Sequence, residues 1–282
     1  MKSEALTDYP TFLVIGAQKC GTSWIANMVQ QHPQVAVAKR KEVHFFDYKD
    51  NYDRGIDWYR SQFNVHAGAK AIGEFTPGYF GTDNSELDVV QHRLNRDVPG
   101  LIFESFPDLK LVLSLRNPVD RAISSYYHHV KRRRISPNNR ILEVSGRHAI
   151  FLRGCYDIHL RNWLRYFSLD RFLILIYEED LADNNKRATI SRIFDHIGVE
   201  SDFEPQHLFD RYNAQWTHFD MRTMYWPSLL GKIGRSLVPQ RVKQQKVWRF
   251  EVSDRERQVL RRAYVKHNKL LESIIERTLP WD

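Results

Sequence analysis

The segment Thr11-Phe-Leu-Val-Ile-Gly16 is an unbroken apolar run that ends on glycine. It leads into the loop Ala17–Gly21 and then into Trp24, Ile25, Met28 and Val29 at helical spacing. A short continuous apolar run reads as a strand covered on both faces, the habit of parallel sheets. Strand, glycine-bearing loop and helix together open a doubly wound fold. This feature predicts an α/β protein with a P-loop-like open, mostly parallel sheet and helices on both faces. Further strands are expected over Lys70–Glu74, Leu109–Leu115 and Phe172–Ile176. Helices are expected from Pro118 through Val130, around Phe151–Phe167, over Asn185–Ile197, and briefly over Ile56–Phe63. Ser253-Asp-Arg-Glu256 has the form of a capping box ahead of a final apolar stripe. The stretch Asp210–Phe250 is rich in Trp, Tyr and basic residues without a clear period and is expected to be irregular. With 282 residues, the chain is expected to form a single domain over 1–282. Its part from about 205 to 282 is expected to provide a covering segment plus the last helix.

Composition narrows the class. With 42% hydrophobic and 27% charged residues, the chain is globular rather than disordered. No apolar run approaches the roughly 20 residues of a membrane span. The only cysteines are Cys20 and Cys155, too few for a disulfide scaffold, and MKSEALTDYP carries no apolar signal core. The expectation is a cytoplasmic protein. A formal charge of +8 points to anionic partners. Basic residues concentrate in Lys131–Arg134 with Arg140, and again in Leu230–Phe250. No groove-reading motif accompanies them, so nucleic acid is not expected as a partner. The sequence leaves the oligomeric state open.

Two segments have the size and chemistry of phosphate sites. In Gly16-Ala-Gln-Lys19-Cys20-Gly21-Thr22-Ser23, backbone N–H groups and the positive end of a helix dipole converge on one point. A mononucleotide-hydrolysing loop would place lysine after the second glycine; here that position is Thr22, and the lysine lies inside the loop. The second segment is Leu115-Arg116-Asn117-Pro118 followed by Ser124. Arg116 stands at the carboxyl end of a strand, where open α/β sheets bind ligands, and Ser124 lies two turns into the next helix. Together the segments describe a ligand with separated phosphates. No strand end offers a convincing acidic magnesium site of the kind a kinase or nucleotidase needs: Phe172–Ile176 is followed by Tyr177-Glu178-Glu179-Asp180, an unremarkable acidic run.

The two segments resemble the sulfotransferase family that uses 3′-phosphoadenosine 5′-phosphosulfate (PAPS, leaving 3′,5′-bisphosphoadenosine, PAP). Gly16 through Trp24 is similar to its 5′-phosphosulfate loop, and Leu113 through Ser124 to its 3′-phosphate motif. Lys41-Glu42-Val-His44-Phe-Phe-Asp47 with Tyr59 resembles the glycan-type branch, which includes heparan sulfate sulfotransferases. Glu74-Phe-Thr-Pro77-x-Tyr79 matches that branch's next motif. The resemblance implies that Lys19, Cys20, Gly21, Thr22, Ser23 and Trp24 hold the 5′ side of PAPS, and Arg116 and Ser124 the 3′-phosphate. It implies Glu42 as base, Lys19 as the charge on the bridging oxygen, and His44 as the rival base. Lys41, Asp47, Glu74 and Tyr79 would contact the acceptor, a carbohydrate or small metabolite. No metal is expected to be required. Phe75 stands where that branch often has lysine, which removes a cation from the acceptor side. The competing readings are a P-loop kinase or nucleotidase and a non-catalytic polyanion-binding protein.

Overall fold

The computed structural model describes residues 10–81, 97–210 and 251–281. Five strands form one sheet: β1 (Phe12–Gly16), β2 (Val35–Val37), β3 (Ala71–Phe75), β4 (Lys110–Leu115) and β5 (Phe172–Ile176). The order is β2-β3-β1-β4-β5 with every pairing parallel. All five residues of β1 are buried, the reason its sequence is apolar without alternation.

The helices are α1 (Thr22–Val29), α2 (Lys49–Tyr52), α3 (Gly55–Arg60), α4 (Val98–Ser105), α5 (Pro118–Lys131), α6 (Ile141–Val144), α7 (Tyr156–Trp163), α8 (Tyr177–Asp180), α9 (Lys186–Ile197) and α10 (Asp254–Ile275). Alternate residues of β1 divide the core, as the two-residue period of a strand demands. Phe12 and Val14 pack with Ile25 and Met28 of α1 and Ile193 and Phe194 of α9. Leu13 and Ile15 pack on the other face with Tyr59 of α3, Ile102 of α4 and Trp163 of α7. A third cluster joins α5 to α10 through Ile123, Tyr126, Leu260 and Tyr264. The capping box at Ser253 is formed in both directions, its hydroxyl accepting from the Glu256 N–H. No described helix is long and apolar enough to cross a membrane.

Two helices depart from the sequence reading, and β2 with the helices α2, α4, α6 and α8 was not anticipated. The helix expected around Phe151–Phe167 is split into a 3-10 turn, Leu152–Gly154, and α7, with Cys155 non-helical between them. Tyr264 of α10 packs at the break, its hydroxyl donating to the Phe151 carbonyl at 2.7 Å. Its ring also lies so close to Gly154 that a Cβ there would meet it at 2.8 Å. The short aromatic helix ends at Arg60 rather than Phe63. Strand β2 has three residues and gave no readable period, and α4 carries Pro99 and Gly100 in its first turn. The basic stretch Leu230–Phe250 and the expected irregular segment lie outside the described residues.

Candidate active site

The sheet order makes β1 and β4 neighbours, with Gly16 opposite Leu113, so the loops that leave their carboxyl ends start side by side. This is the switch point of the sheet, where the chain turns outward to both edges. Two bonds tie the loops together: the Ala17 N–H donates to the Ser114 carbonyl at 2.7 Å. The Ser114 hydroxyl donates to the Cys20 carbonyl at 2.6 Å. Beneath both lies Tyr156, whose hydroxyl donates to the Arg116 carbonyl at 2.8 Å and meets Cys20 Sγ at 3.6 Å.

Gly21 caps α1 in the left-handed region at φ 84°, and a Cβ there would lie 2.3 Å from Leu181 Cδ2. Only glycine fits. No side chain caps α1, and among the described residues the N–H groups of Thr22 and Ser23 meet no acceptor. Lys19, also left-handed at φ 69°, is half-buried in the same loop. Its pKa is pushed down, first by burial and then by the nearby charges of Arg116, Lys131 and Lys41. Unpaired amides, a helix N-terminus and a cation destabilised by its own neighbours are complementary to an anion.

The second cradle is equally short of a counter-ion. Arg116 stacks over the Tyr177 ring at 4.8 Å, and its Nε is buried with no hydrogen-bond partner among the described residues. Its loop is pinned from below: the Asn117 N–H donates to Glu178 Oε1 at 2.8 Å, and the Trp281 indole donates to Glu178 Oε2 at 2.9 Å. The Asn117 side chain caps α5, on which Ser124 sits nearly buried. The acidic run after β5 is thereby engaged: Glu178 holds this loop, Glu179 pairs with Arg277, and Asp180 takes the Ile176 N–H and Arg192.

The segment after β2 delivers the carboxylates. Lys41 Nζ donates to Ser23 Oγ at 2.8 Å and lies 3.7 Å from Glu42 Oε1, so it links the β1 loop to Glu42. Glu42 and His44 are both left-handed, at φ 62° and 56°, an uncommon state for non-glycine residues that clusters at functional sites. His44 Nε2 lies 3.4 Å from Glu42 Oε2, and its Nδ1 lies 2.9 Å from Asp47 Oδ2. Burial alone would push the His44 pKa down, but the bonds to Asp47 and Glu42 carry it up to about 9. The same contact with His44, aided by Lys41, holds Glu42 below the usual carboxylate range against its own burial. At neutral pH the pair is therefore a carboxylate beside an imidazolium.

Four residues expected to contact ligand have side chains buried against protein partners. Glu74 and Tyr79 are fully buried beneath this segment and bonded to each other at 2.9 Å: Glu74 lies on β3, which is covered on both faces, and Tyr79 lies in the turn that follows it. Cys20 is buried with its thiol turned toward Tyr156, so its side chain faces the core rather than the loop's concave side. Trp24 packs into the core and its indole donates to the Leu208 carbonyl at 2.9 Å. Arg140 of the basic tract pairs with Glu256 at 3.3 Å, while Lys131–Arg134 are exposed. Tyr156 and Trp281 belong to no motif, and nothing in their sequence neighbourhood marks them; Tyr177 and Glu178 stand in the acidic run after β5, where no local pattern announces their contacts with the Arg116 loop. A cavity of about 240 Å³ opens beside Lys41, lined among others by Ser23, Asn27, Gln30, Val37 and Phe75.

Residues 9–266 match the sulfotransferase domain family. The chain is 32% identical over 213 residues to mouse heparan sulfate glucosamine 3-O-sulfotransferase 6, covering 73% of this chain and 56% of that protein. It is 29% identical over 214 residues to human heparan sulfate glucosamine 3-O-sulfotransferase 3A1, covering 73% and 48%. The chain thus spans about half the length of the curated relatives it matches. Among solved structures, a sulfotransferase from Alicyclobacillus acidocaldarius shares the fold with a TM-score of 0.65 at 21% identity, over 97% of this chain and 98% of that one. A domain match that runs through both anion loops and on into the last helix settles the lineage: this chain belongs to the sulfotransferase family.

Proposed function

We propose that this chain transfers a sulfuryl group from PAPS to a hydroxyl or amine of a carbohydrate or small-metabolite acceptor, with Glu42 as base. The observation that carries the reading is the adjacency of two counter-ion-poor cradles on paired strands, with Lys41 joining one of them to Glu42. The orphaned Arg116 Nε and the uncapped amides of α1 fit a ligand bearing a phosphate at each end. PAPS, when bound, supplies the sulfuryl group and a phosphate leaving group. Lys19, Thr22 and Ser23 would hold its 5′ side, and Arg116 and Ser124 its 3′-phosphate. Fixed charge on Lys19 and Lys41 stabilises the leaving oxygen without reorganising, and no metal is required of these residues.

Glu42 is favoured over His44 as base. An imidazolium with a pKa near 9 has no lone pair to offer at neutral pH, whereas the depressed Glu42 is ionised and accepts the acceptor's proton. The names of the relatives support a carbohydrate acceptor. The cavity beside Lys41, with Phe75 in place of a cation, favours an acceptor less charged than a polysulfated chain. The test is Glu42→Gln: PAP affinity by calorimetry should be unchanged while kcat falls by roughly 10^2–10^4. Full turnover in that variant would remove Glu42 from the role.

A further inference from the structure

We propose that Glu74 is a positioning residue for the Glu42–His44 pair, holding the intervening backbone from beneath rather than touching any ligand. The proposal rests on the functional reading of Glu42 given above, but it stands on separate geometry. Glu74 is completely buried on β3, a costly place for a carboxyl group unless all of its lone pairs are matched. They are. Oε1 accepts from the hydroxyls of Tyr59 at 2.8 Å and Tyr79 at 2.9 Å. Oε2 accepts from the Thr76 hydroxyl at 2.9 Å and from the Val43 N–H at 3.3 Å.

The last of these bonds carries the inference. Val43 lies between the two left-handed residues, its own side chain buried, while Glu42 and His44 project together on the other side. The network extends to the next amides: Tyr79, oriented by its bond to Glu74, accepts from the Phe45 N–H at 2.9 Å. From the outside, Asn51 Nδ2 donates to the carbonyls of Val43 and His44 at 3.0 and 3.1 Å, and the Phe75 carbonyl receives the Glu42 N–H at 3.1 Å. A left-handed non-glycine residue costs on the order of 1 kcal/mol and persists only where its surroundings dictate it. Here two such residues flank one amide, and that amide is held by a single buried carboxylate. The Glu-x-Thr-Pro-x-Tyr segment thus contributes to the site through main-chain bonds.

Three variants and two readouts test this. Glu74→Gln keeps the shape and removes the charge; Tyr79→Phe removes the acceptor of the Phe45 N–H. Tyr59→Phe is the control, since it removes a donor to the same carboxylate without touching a loop amide. The first readout is the titration of the His44 imidazole by NMR in the PAP-bound protein, where Glu42, Asp47 and the Tyr48 ring face it. The second is kcat alongside PAP affinity. Glu74→Gln and Tyr79→Phe should bring the His44 pKa down toward its ordinary range and lower kcat by roughly 10–100-fold, with PAP affinity unchanged. Tyr59→Phe should move neither. If all three variants reduce kcat in step with stability and His44 titrates as in wild type, Glu74 is only a core group and the proposal fails. If His44 shifts in Glu74→Gln while kcat stays the same, the positioning holds and the assignment of Glu42 as base is what fails.

Discussion

Replacing Arg116 with methionine separates the two ends of the nucleotide. In the unliganded protein Arg116 Nε is buried without a partner, and the guanidinium rests on Tyr177 at 4.8 Å. An unmet buried donor costs about 1–3 kcal/mol, and a partly desolvated cation–π contact returns about 0.5–2. Those terms nearly cancel, so Arg116→Met should leave unliganded stability within about 1 kcal/mol of wild type. With a phosphate present, the lost charge-assisted contact is worth roughly 1.5–3 kcal/mol, or roughly 10–150-fold in Kd. Calorimetry should therefore show PAP weakened by that factor, whereas AMP, which lacks the 3′-phosphate, should bind wild type and variant alike. Equal weakening of both nucleotides would mean that Arg116 serves the loop's structure or the 5′ end. No weakening of either would remove Arg116 from the site, and with it the two-cradle account.

Further outcomes follow from single contacts. The raised His44 pKa contributes stability that is complete below pH 6.5 and is lost as pH climbs through about 9. The lowered Glu42 pKa contributes stability present above its ordinary value of 4.5 and lost on acidification. Chemical denaturation across pH should show His44→Gln flattening the alkaline decline, by ~3 kcal/mol at most; an unchanged alkaline limb would contradict the pairing. Gly21→Ala forces a Cβ against Leu181 at φ 84° and should lower Tm and abolish PAP binding, read by thermal shift with and without PAP. Trp281→Phe removes the indole bond to Glu178 and should cost about 1 kcal/mol by denaturant titration, with PAP weakened a few-fold through the Asn117 loop. Excess chelator should leave the sulfation rate unchanged; an absolute requirement for added metal would overturn the electrostatics assigned to Lys19 and Lys41.

The parts of the fold that were legible are those with strong local chemistry. Strands β1 and β4 are buried on both faces and so appear as plain apolar runs, β5 is an equally apolar run at the sheet edge with Leu173 and Ile174 half-buried, and α10 announces its start with Ser253 and Glu256. The Lys19 loop and Arg116 were readable because a glycine at a helix N-terminus and a cation at a strand end have local causes. Glu74 and Tyr79 were placed on the acceptor through the resemblance of their motif to the glycan-type branch, which says nothing of which way each side chain turns. Whether a carboxylate at the end of a strand faces solvent or the core depends on what packs over it, here Tyr59 and the loop from Val43 to Phe46. Tyr156 and Trp281 were illegible for the same reason: each acts through a hydroxyl or indole across more than a hundred residues or nearly so, a separation no local pattern encodes.

One phenol, that of Tyr156, touches both the Cys20 thiol and the Arg116 carbonyl. On the function proposed above, it would work as a fixed spacer that sets the gauge between the two anion loops. Discrimination between 3′- and 2′-phosphorylated adenosines would then be a matter of calibre already cast into the scaffold.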